Sequence, residues 1–329
     1  MNTYDFLSIG DAVADNFIRI TDADVVGEPD TKDYKLCLRF ADKVPFESSE
    51  VVYGVGNGPN AAVAAARLGY ASALSAMVGN DDLGKKCLEA LAGNNVATEY
   101  VGTDLVAPTN YHYVLWYVPE RTILIKHVQY TRTLPPNLVA PKWIYLTSLG
   151  SNTEPFHQEI ISWLEQNPTT KLAFQPGTFQ MKLGTEKLKA VYQRADAFFC
   201  NMEEAQRILN VVEKDAKKLM DAIHALGPKI VVVTDGIRGA YAREEDGTSW
   251  FMPIYPNTPL ERTGAGDAFS STFTVALSMG KSVQEALLWA PINSMSVTEH
   301  VGAQKGLLTV AQIEEYLAKA PSDYKPTQI

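Results

Sequence analysis

Along most of the chain, short apolar runs alternate with longer amphipathic segments, the pattern of parallel strands covered by helices. Buried strands are predicted at residues 6–9, 73–78, 143–146, 172–174, 197–199 and 230–234. Between them, Asp81 is placed to cap a helix that carries Leu88 and Leu91 to a terminating Gly93. The segment 215–226 sets Ala216, Leu219, Ile223 and Leu226 on one face ahead of Gly227. Ser282 and Glu285 have capping-box spacing ahead of Ala286, Leu287 and Leu288.

Two stretches break this rhythm. Residues 21–52 are charged, contain Pro29 and Pro45, and hold one strand-like piece at 34–40. Residues 111–131 read as two strands, 111–118 and 122–129, around a Pro119-Glu120-Arg121 turn. Together the segments 21–52 and 109–131 predict a small β-sheet that packs on the main body as a lid. No repeat or low-complexity linker divides the chain, so residues 1–329 read as one α/β domain.

Composition narrows the function classes. The chain has 329 residues, 46% of them hydrophobic, enough for a large core. A net charge of −9 argues against nucleic acid or an anionic membrane surface as partner, since both demand basic surface. Cys37, Cys87 and Cys200 are odd in number and far apart, which indicates neither a disulfide framework nor a zinc site. The N-terminus lacks the basic and apolar regions of a signal peptide, and no apolar stretch approaches the roughly 18 residues a membrane span needs. A cytoplasmic protein is expected.

The chemistry concentrates in glycine-rich turns. Thr263-Gly264-Ala265-Gly266-Asp267-Ala268-Phe269 stands between a predicted strand, 250–255, and an apolar helix running to Gly280. Glycines there aim free N–H groups at one point, and the helix terminus adds partial positive charge, which suits an anion. A carboxylate beside those donors, Asp267, would repel a resting anion but can accept a proton from an attacking hydroxyl; an ordinary capped helix has the same spacing. Gly54, Gly56 and Gly58 permit close backbone approach ahead of an alanine-rich helix, and Asn60 offers both a donor and an acceptor. Pro59 stands where a dinucleotide fingerprint needs its third glycine, and Lys86 spoils the P-loop likeness of residues 79–86. Asp11 and Asp15 follow the first strand, and Asn201, Glu203 and Glu204 follow another, at the strand ends where open α/β sheets bind ligands. Thr234, Gly236 and Gly239 follow a third.

Taken in this order, the pieces resemble the pfkB (ribokinase-like) family of carbohydrate and nucleoside kinases, over about residues 6–304. Residues 263–269 resemble its C-terminal signature; residues 56–64 resemble the N-terminal one less closely, Asn57 and Pro59 being unusual there. The resemblance implies a Rossmann-like three-layer α/β sandwich with a small β lid, through which family members often dimerise. It implies an ATP-dependent kinase acting on a hydroxymethyl group of a small sugar, with Asp267 as general base and the Gly264, Ala265, Gly266 and Asp267 amides as anion hole. Asp15 and Asn60, with Asp11, would bind substrate hydroxyls, and Gly56 and Gly58 would line the pocket. Asn201 and Glu204 would stand near Mg²⁺ and the phosphates, Glu204 reaching the metal through water. Thr234, Gly236 and Gly239 would form the nucleotide-side turn, with Asn293 near the base. Glu261 replaces the aspartate of many members at a monovalent-cation site near residues 302–304, which leaves K⁺ activation open. Gln175-Pro176-Gly177-Thr178 departs from the family's sugar-reading loop. A nucleoside is the alternative acceptor, because Tyr34, Phe40, Tyr113, Trp116 and Tyr117 fall in the predicted lid and can stack on a base. A sugar-binding sensor without catalysis is the remaining reading.

Overall fold

In the computed structural model, which describes residues 2–27, 34–117 and 120–329, the apolar runs form the middle of an eleven-stranded sheet. Phe6–Ile9 lies between Ser72–Gly79 and Trp143–Leu146, followed outward by Lys171–Phe174, Ala197–Asn201 and Ile230–Thr234, all parallel. Ala240–Arg243, Ser249–Met252 and Thr327–Gln328 extend that edge antiparallel. The strand predicted at 250–255 is therefore shorter and ends at Met252.

Phe6–Ile9 and Trp143–Leu146 are buried along their whole length because helices cover both faces. Alternate residues feed two cores. Leu7, Ile9, Ile144, Leu146 and Phe174 pack under one layer, which includes the helices Glu154–Gln166 and Ala216–His224. Phe6, Trp143, Tyr145, Ala173 and Phe199 pack under the other, with the helices Ala265–Ser278 and Val283–Thr298. The helix starts follow the sequence. Asp81 accepts from the Gly84 amide, Asp215 from those of Lys217 and Lys218, and Ser282 and Glu285 cap reciprocally.

A separate four-stranded sheet has the order Glu120–Leu124, Asn110–Tyr117, Val13–Ile20, Phe46–Val55. Its spine, Val13–Ile20, was not expected from the pattern: polar Asp15 and Asn16 hide a strand that runs on from the Phe6–Ile9 strand. The strand-like piece expected at 34–40 shrinks to Lys35–Cys37, which pairs with Asp24–Val26 in a ribbon of its own. The second hairpin strand stops at Leu124 rather than 129. Pro29 and Pro119 lie outside the described residues. Among those that are described, no helix is long and apolar enough to cross a membrane.

Candidate active site

Asp267 sits in the first turn of Ala265–Ser278, only 6% exposed. Gly264 precedes the helix at φ 78°, and a Cβ there would lie 2.3 Å from the Ala303 Cβ, so only glycine makes this entry. The amides of the first helical turn have no partner within the helix ladder. A Cβ on Gly266 would meet nothing nearer than Gln175 Nε2 at 3.9 Å, which leaves room above that turn for a ligand.

The Asp267 carboxylate is held by amides. Asn57 Nδ2 donates to Oδ1 at 2.7 Å and Asn60 Nδ2 to Oδ2 at 2.8 Å. Gln175 Nε2 adds a longer bond to Oδ1 at 3.4 Å. Burial pushes the carboxyl pKa up; the three amides, and beyond them the charge of Arg121, oppose this without cancelling it. The amides are themselves oriented. Ser270 Oγ and the Tyr145 hydroxyl donate to Gln175 Oε1, which turns its NH₂ toward Asp267. Gln304 Nε2 donates to Asn60 Oδ1 at 3.1 Å and to the Gly54 carbonyl at 2.9 Å.

Backbone proximity brings Asn57 and Asn60 there. Gly56, at φ 111°, would place a Cβ 2.7 Å from the Asp11 carbonyl, and Gly58 would place one 3.0 Å from the Gly10 Cα. The helix Asn57–Arg67 thus crosses directly against the end of the first strand. Gly58 is buried in that crossing, so its work is close packing rather than the pocket lining expected of it. Asn57 and Gln175 are neighbours of Asp267 that the sequence pattern did not mark as site residues. Each drew notice only as a departure from the family pattern.

Asp11 and Asp15 stand apart from the anion loop, at the start of the small sheet. Asp11 accepts from Arg132 Nη2 and lies 3.1 Å from His127 Nδ1, so both of its oxygens are engaged. Asp15 Oδ1 is 3.3 Å from His112 Nδ1 but makes no hydrogen bond, and His112 Nε2 is likewise buried without a partner. The His112 and His127 rings meet edge to face at 5.2 Å. Nothing in the sequence pattern pointed to His112, His127 or Arg132, which sit on a strand and an irregular stretch far along the chain.

A cleft on the other side of the anion loop is lined by Asn201, Thr234, Gly236, Gly239, Ala265 and Gly266. The register pairs Asn201 with Thr234 at adjacent strand ends. Asn201 and Glu204 form a capping box, each side chain accepting from the other's amide at 2.9 Å. Burial raises the Glu204 pKa, with the charge of Asp267 adding to the effect. Asn293 is placed otherwise than expected. It is fully buried, its Nδ2 donates to Thr272 and its Oδ1 accepts from the Leu308 amide, while Ser294 and Met295 line the cleft instead.

The donor sets bear on cations. No group of three or more His, Cys, Asp or Glu side chains among the described residues can cage a metal. Glu204, a half-buried carboxylate beside the cleft, fits a magnesium ion that keeps its water and is held chiefly by phosphates. Glu261 does not fit a monovalent cation, because its carboxylate already receives Arg121 Nη1 at 2.9 Å, the Thr263 amide at 2.7 Å and the Gly302 amide at 3.3 Å.

Residues 23–310 match the family described as pfkB family carbohydrate kinase. The ribokinase of Bacillus subtilis is 26% identical over 311 residues, 84% of this chain and 94% of that protein. The structure of Arabidopsis thaliana ribokinase complexed with ribose and ATP superposes with TM-score 0.78 at 19% identity, covering 96% of this chain and 99% of that one. An archaeal nucleoside kinase of the ribokinase family, from Methanocaldococcus jannaschii, gives 0.73 at 18%, covering 97% and 100%.

Proposed function

Because this chain belongs to the pfkB family of carbohydrate kinases, phosphotransferases acting on sugar hydroxyl groups, we propose that it transfers the γ-phosphoryl of ATP to a hydroxymethyl group of a small sugar. The observation that carries the reading is the buried Asp267 carboxylate, steered by Asn57, Asn60 and Gln175 and set beside the first-turn amides that follow Gly264. A desolvated carboxylate with a raised pKa is a better proton acceptor than one in water. It would take the proton of the acceptor hydroxyl as the hydroxyl attacks in line. The amides of Ala265, Gly266 and Asp267 would receive the charge that develops on the phosphoryl oxygens, where one lost donor costs about 10²–10³ in rate.

ATP would lie in the cleft of Asn201, Thr234, Gly236 and Gly239, its phosphates toward Gly266. Bound magnesium would neutralise phosphate charge, with Glu204 reaching it through water. The acceptor would lie on the opposite side, under the small sheet, which serves as a lid that excludes water. A sugar is favoured over a nucleoside by what lines that side. Asp15 Oδ1 and His112 Nε2 are buried and unpartnered, as hydroxyl-binding groups would be. Of the aromatics proposed to hold a base, Phe40 is fully in solvent, Tyr34 and Tyr113 are about half exposed, and Arg19 stacks on Trp116.

The test is ADP release from magnesium-ATP with pentoses, hexoses, sugar phosphates and nucleosides, with each product identified by phosphorus NMR. A phosphomonoester formed only from a free sugar supports the proposal. Turnover with nucleosides alone moves the acceptor class, and ligand binding without any ADP leaves a sensor.

A further inference from the structure

Glu120 and Arg121, adjacent on the outer strand of the small sheet, meet Arg262 and Glu261 on the segment that leads into the anion loop. The signs are crossed: Arg121 pairs with Glu261 at 2.9 Å and Glu120 with Arg262 at 3.4 Å. The second pair is exposed and contributes little. The first is different in kind. The Glu261 side chain is 2% exposed and that of Arg121 24%, and among the described residues Arg121 is the cation that pairs with Glu261.

Glu261 is also the clamp of the anion loop. One of its oxygens accepts from both the amide and the hydroxyl of Thr263, the residue before Gly264, and the other accepts from the Gly302 amide. Residue 303, next along, is the one against which Gly264 packs too closely to bear a side chain. One carboxylate therefore ties together the two segments that set the direction of the first-turn amides. Its counter-charge is supplied by an element 140 residues away in sequence, carried on the other sheet. If the small sheet lifted, Glu261 would be left as a buried charge without its cation, and the loop would lose the partner that fixes its clamp.

We propose that Arg121 is a positioning residue for phosphoryl transfer, acting through Glu261 so that the anion loop takes its working geometry only while the small sheet is seated. The inference rests on the reading of residues 264–267 as the phosphoryl site. Asp267 also feels the Arg121 charge, which places the guanidinium near the reacting centre without a contact to it. An enzyme built this way withholds its anion hole from ATP until the acceptor is covered, which limits wasteful hydrolysis.

The experiment compares full-length wild type with Arg121→Met, Glu261→Gln and the double variant, by steady-state kinetics and by hydrogen exchange of residues 261–266. Misplacement of the anion hole should lower kcat about 10- to 100-fold in Arg121→Met, with the KM of the acceptor changed far less. The double variant should be no worse than Arg121→Met, because both break one linkage. Added guanidinium should restore part of the lost kcat, and exchange at 261–266 should rise in the variant while the Phe6–Ile9 strand stays protected. Unchanged kcat and exchange in Arg121→Met, measured well below its Tm, would overturn the inference and leave the kinase reading standing. So would a Glu261→Gln variant of full activity beside an inactive Arg121→Met, since Arg121 would then act on the phosphate directly. If wild type turns over no acceptor yet exchange rises as described, the linkage is real and the phosphotransfer reading is what fails.

Discussion

Replacing Asp267 with asparagine keeps the shape of the side chain and removes its capacity to take a proton. Loss of a positioned general base costs about 10²–10⁴ in rate, or about 3–5 kcal/mol of transition-state stabilisation. The upper part of that range is expected, because the groups bonded to the carboxylate are the amides of Asn57, Asn60 and Gln175, none of which can act as a base. Folding should survive the change. Asn60 is held by Gln304, but Asn57 is half-buried and can turn its amide to offer oxygen to the new NH₂. Loss of the buried charge even favours the variant. Burial raises the folded-state pKa of Asp267, so ionising it in the folded protein costs stability. That cost is absent below the unfolded pKa near 4 and is fully present above the raised folded value. The Tm of the variant relative to wild type should therefore climb as pH rises through that window. In the wild type, kcat should fall with acidification at a pH above the ordinary aspartate range, and the variant should lack this limb. Coupled ADP assays across pH, beside thermal unfolding, read all of these. A variant that keeps more than about a tenth of wild-type kcat would remove Asp267 from the role of base.

Three further outcomes follow from particular contacts. Gly264→Ala should cost at least about 1–2 kcal/mol for left-handed backbone, with the Ala303 clash added, and should lower kcat as the helix start moves; normal denaturant unfolding and turnover would contradict the geometry. Asp15→Asn should raise the acceptor KM about 10- to 100-fold, the worth of one hydrogen bond to a charge, and leave the KM for ATP alone; equal effects on both would place Asp15 outside the acceptor site. Burial acts to raise the pKa of Asp196, but the Leu172 amide with Lys229 and Lys171 more than offsets this and holds it low. A lowered carboxylate pKa stabilises above the unfolded value near 4 and loses its contribution as pH falls through the folded one. Unfolding of wild type against Asp196→Asn should therefore converge only below about pH 4, and a constant gap would refute this.

The outer face of the small sheet carries half-exposed Tyr113 beside Tyr111, with Ile18 on the neighbouring strand. The sequence resemblance implies dimerisation through this sheet, an expectation that sedimentation tests.

Local and short-range features were set by the sequence alone. The six buried runs became strands of the main sheet because a short apolar run of three to six residues, flanked by helical segments, buries both faces in a parallel sheet covered by helices. Asp81, Asp215 and Ser282 cap helices where their spacing places them, since a cap is an interaction within four residues. The turn of Gly264, Ala265 and Gly266 with Asp267 was legible for the same reason. What brings Asn57, Gln175 and Asn60 onto Asp267 was not, because those contacts span 92 to 210 residues and depend on how strand ends meet. Val13–Ile20 escaped notice as a strand because its polar Asp15 is buried beside His112 rather than turned to solvent, which no alternation rule anticipates. The family resemblance placed Asn293 near the nucleotide base, and only packing showed its side chain turned inward to Thr272 and Leu308. Glu261 was marked as a departure from its family, but the arginine that answers it comes from the other sheet. Residue type and spacing fix chemistry that acts within a turn; chemistry shared between distant segments is decided only when the cores close and bring them together.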